Sequence, residues 1–269
     1  LVLIHGCGDS LTGVERSAKL SARDSYQAFA PIYDEFNWSN DYEMWLGEVL
    51  LPELERHGLV RGRVLDVGCG TGRSFAPMLS RGWEVVGCDV SEAMLGEAGR
   101  KHPGVPTFVA DARDLPLFGR FELVLMLNDV ANYLVDDGDL ERALCGIAPN
   151  LLPGGLLVFD TNTLSLFRSN FATGDSDEMS VRGWHWVGQE EAVELGGTFA
   201  AEVSGDGVET HVHRERHWTV EQVRAAVAAA GLELLASKGQ SEVGGRVVLA
   251  EDWDEERDHK VMHFARRPT

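Results

Sequence analysis

One stretch, Val64-Leu65-Asp66-Val67-Gly68-Cys69-Gly70-Thr71-Gly72, sets three alternate glycines directly after a short apolar run. Glycines there let the backbone turn sharply and let a ligand approach the peptide plane. A helix opening just beyond would add free N–H groups suited to an anion. A second apolar run, Val85-Val86-Gly87-Cys88-Asp89, ends in an acid. A carboxylate at that place can accept both hydroxyls of a ribose; the competing reading of Asp89 is a helix cap. Val90 and Met94 would offer apolar contact to an adenine face. Phe108-Val109-Ala110-Asp111-Ala112 ends a third run in another acid. Asp111 suits an adenine amino group, or it is an exposed turn residue. A dinucleotide fold prefers Gly at 68, 70 and 73, whereas here the third glycine is Gly72 and position 73 is Arg73.

A second concentration of chemistry lies in Glu209-Thr210-His211-Val212-His213-Arg214-Glu215-Arg216-His217-Trp218. Alternate side chains of a strand share a face. That groups His211, His213, Glu215 and His217 against Val212, Arg214, Arg216 and Trp218. Three readings of the first face compete: a solvated edge, a pocket wall with His213 as general base, and a zinc site. A flat strand splays three ligands too far apart for zinc without a bulge. Arg216 suits an acidic substrate or a neighbouring carboxylate. Trp184-His185-Trp186 puts two indoles on one side of a strand, as core packing or as an aromatic pocket wall. Asp160 and Asn162 follow a further apolar run, as ligand-edge residues or as caps. The acidic run 251–258 reads as a solvated loop.

These residues need elements to position them. Residues 24–36 read as a helix capped by Asp24 or Ser25, and 41–57 as a second helix stopped by Gly58. Arg63–Val67 reads as a buried strand, with helical character to Ser80 interrupted at Pro77. Residues 83–88 form a strand, and Ser91 caps a helix to about His102. Strands at 105–109, 121–127 and 156–160 then flank a helix over 139–151. Strands alternating with helices predict a mostly parallel sheet covered on both faces. From 181 to 218 the period shifts to two, predicting three antiparallel strands with turns at Gly196-Gly197 and Gly205-Asp206-Gly207. Thr219 opens an Ala-rich helix to about Gly231, followed by strands at 232–237 and 260–265. The opening Leu1–Gly6 has the strand-and-turn look of an α/β-hydrolase, but the chain has no Gly-x-Ser-x-Gly elbow, so that reading is discarded.

The chain has 269 residues, 44% hydrophobic and 25% charged, with a formal charge of −19. Such acidity disfavours nucleic acid and anionic membrane surfaces as partners. No apolar run approaches the roughly 18 residues of a membrane helix, and the apolar start lacks a basic flank, so no signal peptide is expected. Four scattered cysteines without CxxC spacing predict reduced thiols and a cytoplasmic location.

The pattern D-x-G-x-G-x-G with the two strand-end acids resembles motif I and the following strands of class I S-adenosylmethionine-dependent methyltransferases. The resemblance extends over residues 24–266. Tyr26-x-x-Phe29-Ala30-x-x-Tyr33-Asp34-x-Phe36 and Tyr42-x-x-Trp45 resemble the helical lid of small-molecule members. Asp129-Val130-Ala131-Asn132-Tyr133-Leu134, Leu152-Pro153-Gly154-Gly155 and His213-Arg214-x-Arg216 are also similar to family segments. The layout is similar to that of sugar N-methyltransferases. The resemblance implies a doubly wound, seven-stranded, mostly parallel sheet with an inserted antiparallel β lid. It divides the chain into an N-terminal extension and helical lid (1–58), a cofactor-binding core (59–165), an inserted lid (166–218) and a C-terminal completion of the core (219–269).

By the same resemblance S-adenosylmethionine is the cofactor and S-adenosylhomocysteine the product. Asp66, Gly68, Gly70 and Gly72 fall around the methionine part, Asp89 on the ribose, and Asp111 with Ala112 on the adenine. Val90 and Met94 join them, Asn128 closes under the sulfonium, and Tyr33 and Tyr26 reach cofactor or substrate. His213, Tyr33 and Asn132 make the candidate catalytic set. Asn132 stands where sugar N-methyltransferases carry a histidine base; an amide takes up no proton at neutral pH, so any base lies elsewhere. Trp45, Tyr133, Arg216 and Trp184 are candidate substrate contacts. The expected reaction is methyl transfer to an amine or hydroxyl of a small metabolite, by a monomer or homodimer, without metal. A non-catalytic cofactor-binding module and a nucleotide-dependent oxidoreductase are the alternatives.

Overall fold

The computed structural model describes residues 21–173, 179–181, 183–244 and 246–269. The hydrolase-like start and Cys7 lie outside the described residues. Short apolar strands, buried on both faces away from the sheet's edges, build the centre. In chain order they are β1 (Arg63–Val67), β2 (Glu84–Asp89), β3 (Thr107–Val109), β4 (Phe121–Met126) and β5 (Leu151–Asn162). β10 (Glu233–Val243), β11 (Arg246–Ala250) and β12 (Lys260–Arg266) complete the sheet. Its order is β11-β10-β12-β5-β4-β1-β2-β3, with β1 to β5 parallel and β10 to β12 antiparallel.

The sheet therefore has eight strands where seven were expected. The addition is β11, which folds back on β10 as a hairpin at the edge, in the register Val243↔Arg246 to Gly239↔Ala250. The antiparallel edge is three strands wide rather than two.

Alternation sorts the apolar side chains to two faces. Leu65, Val67, Val124, Met126, Leu157 and Phe159 pack in one cluster beneath α7 (Asp139–Ile147) and α9 (Val220–Ala229). Val64, Leu123, Leu125, Leu156 and Val158 face the other way, with Leu46, Leu54, Phe75 and Met78. Each such side chain contributes about 1.5–3 kcal/mol on burial. The second cluster is covered by the segment 42–56, which runs α3 (Tyr42–Trp45), a π turn (Leu46–Leu50) and α4 (Leu51–Arg56). The 41–57 helix is thus continuous in path, and Gly58 ends it at φ +83°. After β1 the helix α5 is only Ala76–Ser80. Pro77 sits in its first turn, where a missing N–H costs nothing, so it begins that helix rather than interrupting it. α6 (Glu92–Lys101) starts at the expected cap, Ser91.

A third apolar cluster belongs to the lid. α1 (Ala22–Phe29) and α2 (Tyr33–Phe36) lie N-terminal to the core. The cap of α1 is Ser21, in a capping box with Asp24, not Asp24 or Ser25. α8 (Leu164–Phe171) leads into a four-stranded antiparallel sheet: β6 (Met179–Val181), β7 (Trp184–Gly188), β8 (Thr198–Gly205) and β9 (His211–Arg216). Three strands were expected; a turn at Gly183, φ +89°, splits the first into two. Phe29, Phe36, Phe167, Phe171, Trp186 and Phe199 join these pieces. Among the described residues no helix is long and apolar enough to cross a membrane.

Candidate active site

In an open α/β sheet ligands bind at the carboxyl edge, where strand order reverses. That point lies here between β1 and β4, whose order runs outward in opposite directions. A cavity of about 600 Å³ opens there, a size ordinary for a small-molecule site. The loop after β1 forms its floor. Gly68 and Cys69 both donate to the Cys88 carbonyl, at 2.8 and 3.0 Å, which anchors the loop on β2. Gly68 (φ +75°) lies so close to Val130 that a Cβ would approach its Cγ2 to 2.3 Å. Gly70 (φ +52°) has nothing within 4 Å of where a Cβ would stand, so that side of the loop is open.

Asp89 lines the cavity. Its Oδ2 accepts from the Gly70 N–H at 2.8 Å and its Oδ1 from the Ser91 N–H at 2.9 Å. Burial raises its pKa, against the pull of those N–H groups. A carboxylate offers about four lone-pair sites, so the two N–H groups leave room for a ligand's hydroxyls. Val90, Met94, Asp111, Ala112 and Asn128 also line the cavity. Asp111 is held by Arg113, whose Nε and Nη2 donate at 2.9 and 2.6 Å, and this pairing holds its pKa low.

Two residues expected at the methionine part stand behind the wall instead. Asp66 is buried and accepts from Ser74 Oγ at 2.5 Å. Gly72 (φ +86°) makes room for His102 and Phe75, each within 2.7 Å of a notional Cβ. Neither is among the cavity-lining residues.

The lid closes the other side. Ser25 Oγ donates to the Val212 carbonyl at 2.6 Å, joining α1 to β9. Gln27 Oε1 accepts from Ser91 Oγ and the Ala93 N–H. Asp34 accepts from Thr71 Oγ1 at 2.7 Å and pairs with Lys101 at 2.6 Å. Arg73 donates to the Asn37 and Asn40 carbonyls and lies over the Tyr42 ring. Tyr26, Tyr33, Tyr42 and Tyr133 reach the cavity wall from this side.

The β9 residues alternate as expected, but the faces are assigned the other way. Val212 and Arg214 line the cavity, while His211, His213, Glu215 and His217 are buried behind it. The solvated-edge reading is thereby overturned. His213 is 1% exposed and lines no part of the cavity. Its Nδ1 lies 2.6 Å from the Tyr133 hydroxyl, and its ring stacks on Trp186. Burial, then the neighbouring His211, push its pKa well below the usual histidine range. It is separated from the cavity by Tyr133 and Tyr26, both of which its ring contacts.

Four other candidates lie away from the cavity. Asn132 is fully buried. Its Nδ2 donates to the Arg216 carbonyl at 2.8 Å and its Oδ1 accepts from the Asn162 N–H at 3.1 Å. It joins the loop after β4 to β9 and β5, which is a structural role. Arg216 pairs with Asp137 at 2.8 Å and lies over Trp218. Trp184 donates to the Asp206 carbonyl in the lid. Trp45 donates to Gln240 Oε1 at 2.8 Å. Tyr42, three residues before Trp45 on one helix face, reaches the cavity instead. The acidic run is also only partly solvated: Asp258 is buried, and Glu255 Oε2 lies 3.0 Å from His217 Nε2.

Beneath the tyrosines, Asp160 accepts from the N–H groups of Asn128 and Asp129, at 3.1 and 3.2 Å. Lys260 reaches Asp129 at 2.5 Å and Asp160 at 3.3 Å. Burial works against the lysine's charge, but the two carboxylates outweigh it and hold its pKa up. Burial likewise raises Asp160 and Glu215, the latter well above the carboxylate range.

Comparison with known proteins agrees with this architecture. Residues 64–155 match the family model of a methyltransferase domain. YqeM of Bacillus subtilis (strain 168), described as a candidate methyltransferase, is 30% identical over 78% of this chain and 87% of its own. The dTDP-3-amino-3,6-dideoxy-alpha-D-glucopyranose N,N-dimethyltransferase of Streptomyces fradiae is 29% identical over 67% of this chain and 74% of its own. A crystal structure of an S-adenosylmethionine-dependent methyltransferase from Clostridium acetobutylicum ATCC 824 superposes with a TM-score of 0.70. It is 21% identical, over 91% of this chain and 99% of that one. The strand order, the glycine loop at the β1 end and these similarities converge: the chain belongs to the class I S-adenosylmethionine-dependent methyltransferases.

Proposed function

We propose that the chain transfers the methyl group of S-adenosylmethionine to an amine nitrogen of a small molecule. The observation that carries this reading is one cavity with two unlike ends. The Gly68–Gly70 loop, Asp89, Val90, Met94, Asp111 and Ala112 line one end, and four phenols line the other. The first end suits the cofactor, with an unencumbered Gly70 and a buried carboxylate for ribose hydroxyls. S-adenosylmethionine supplies a methyl group already activated by a cationic sulfur. The protein's task is alignment, which supplies roughly 7–11 kcal/mol of such a barrier. Residues 59–165 hold the cofactor in this reading, while residues 21–58 and the described residues of 166–218 enclose the acceptor and keep water out.

The choice of nitrogen over oxygen rests on the acceptor end. A hydroxyl nucleophile gains about 10²–10⁴-fold from a positioned base. Burial holds the phenols of Tyr26, Tyr33, Tyr42 and Tyr133 neutral, and the same effect keeps His213 a poor proton acceptor. A neutral amine needs no base before it attacks. The Streptomyces fradiae relative is by name an amino-sugar N,N-dimethyltransferase, which supports an amine acceptor. A hydroxyl acceptor is the second reading, favoured only by the Tyr133–His213 contact.

The test has two parts. Asp89→Ala is expected to abolish S-adenosylhomocysteine binding by calorimetry; the parent should bind at about −8 kcal/mol, a micromolar affinity. Near-parental affinity in the variant would sink the cofactor placement. Methyl-labelled S-adenosylmethionine, offered with paired amino and hydroxyl compounds, should label the amines. Label only in the hydroxyl compounds would replace nitrogen by oxygen.

A further inference from the structure

The sequence contains four tyrosines, and all four line this one cavity. They come from α1, α2, α3 and the loop after β4. The Tyr26 ring centroid lies 6.2 Å from that of Tyr33, at 57°, and 5.0 Å from that of Tyr133, at 63°. The rings are inclined rather than stacked, so they form a bent wall. Tyr33 and Tyr42 are close enough to influence each other's ionisation. Aromatic faces carry negative potential and attract cations within about 6 Å, more strongly where water is excluded.

Carboxylates stand behind the wall. Burial raises all four phenols, and the Asp129 carboxylate adds to the rise in each. Asp129 and Tyr133 share the loop after β4, which brings this carboxylate to the tyrosine side of the molecule. The loop's backbone is strained: Asn128 and Asp129 have φ of +60° and +71°, a region few non-glycine residues adopt. The Asp160 carboxylate secures that strain by accepting both N–H groups. Lys260 pairs with both carboxylates, and the Arg73 guanidinium lies over the outermost ring, Tyr42.

We propose that Tyr26, Tyr33 and Tyr133 form a cation-binding cage around the acceptor nitrogen, so that the substrates are alkyl amines, including amines already methylated once. The proposal rests on the amine-methylating reading and deepens it. In transfer the carbon–sulfur bond breaks with its electron pair left on sulfur, and the amine lone pair forms the carbon–nitrogen bond. The positive charge passes from sulfur to nitrogen, and the ammonium proton leaves to water afterwards. Rings around that nitrogen favour the charged product side over the neutral amine, which lowers the barrier. A neutral hydroxyl gains nothing comparable.

Tetramethylammonium chloride is the probe, titrated calorimetrically onto the protein with and without saturating S-adenosylhomocysteine; tert-butanol is the uncharged control of similar shape. Tetramethylammonium should bind at least tenfold tighter than tert-butanol. Tyr133→Phe keeps the ring and should bind the cation within about threefold of the parent, whereas Tyr133→Leu should lose at least tenfold. Equal binding of the two probes to the parent overturns the cage whether or not the leucine variant folds. So does undiminished cation binding by a folded leucine variant. Binding of S-adenosylhomocysteine without tetramethylammonium removes the cage and leaves the methyltransferase reading intact. Tetramethylammonium binding without S-adenosylhomocysteine supports the cage and removes the cofactor reading.

Discussion

Asp66 illustrates how one buried carboxyl beneath the glycine loop couples site and stability. Ser74 donates to its Oδ2, and Oδ1 has no partner among the described residues. Burial, with the nearby Asp89 charge, raises its pKa to about 7. An aspartate in the unfolded chain titrates near 3.9, so between about pH 4 and 7 the folded state holds the proton more tightly. Its contribution to stability is therefore fully present below about pH 4 and is lost as pH rises through about 7. The size is a few kcal/mol. Asp66→Asn keeps the shape and removes the charge. Urea titrations at pH 5 and pH 8 should show a smaller loss of stability with pH in the variant than in the parent. An identical loss in both would mean that Asp66 is ionised in the folded protein throughout. Asn132 shows the converse case: a polar residue beside a site, wholly used by the backbone groups of Arg216 and Asn162.

At the level of elements, α1 and α2 are tied to the core by few polar contacts, and Asp34 makes two of them, with Thr71 and Lys101. Asp34 is partly exposed, so the ion pair alone is worth no more than about 1 kcal/mol. Asp34→Ala should change the melting temperature little. Its effect should instead fall on ligand capture, with a several-fold rise in the KM for S-adenosylmethionine and a smaller change in kcat. A kcat loss at unchanged KM would place Asp34 in the chemistry rather than the closure. The elements themselves were largely legible. Continuous apolar runs identify β1, β2 and β4 because parallel strands are buried on both faces, and Ser91 and Thr219 cap the helices they precede. β11 was missed although Val247-Val248-Leu249-Ala250 is itself a continuous apolar run; at the sheet's edge that run is only half-buried. The site was legible where the backbone dictates it, at Gly68, Gly70 and Asp89. On β9 the sequence leaves the His211–His217 face open between a solvated edge, a pocket wall and a zinc site, and it is Val212 and Arg214 of the other face that line the cavity. Periodicity shows which residues share a face, but not which face the surrounding lid cluster will bury.

On the scale of the whole molecule, a core and a lid, each with its own packed apolar side chains, meet across a cavity and are bridged by polar contacts such as Asp34–Thr71, Asn132–Arg216 and Asn162–Glu215. The net charge of −19 repels phosphate backbones and favours cationic small molecules, in keeping with an amine acceptor. A ligand in the cavity touches residues of both bodies, since Gly70, Asp89, Tyr26 and Tyr33 all line it. Its binding free energy then stabilises the lid together with the core. At one hundred times its dissociation constant, S-adenosylhomocysteine should add about 2.7 kcal/mol. For a chain of this size that corresponds to a melting shift of about 5–10 °C. Hydrogen exchange locates the effect. Amides of Ala22–Phe29 should slow on binding along with those of the Gly68–Gly70 loop, because opening α1 would uncover the ligand. Slowing confined to the loop would mean that the core alone holds the cofactor, and that the lid closes only when the acceptor arrives.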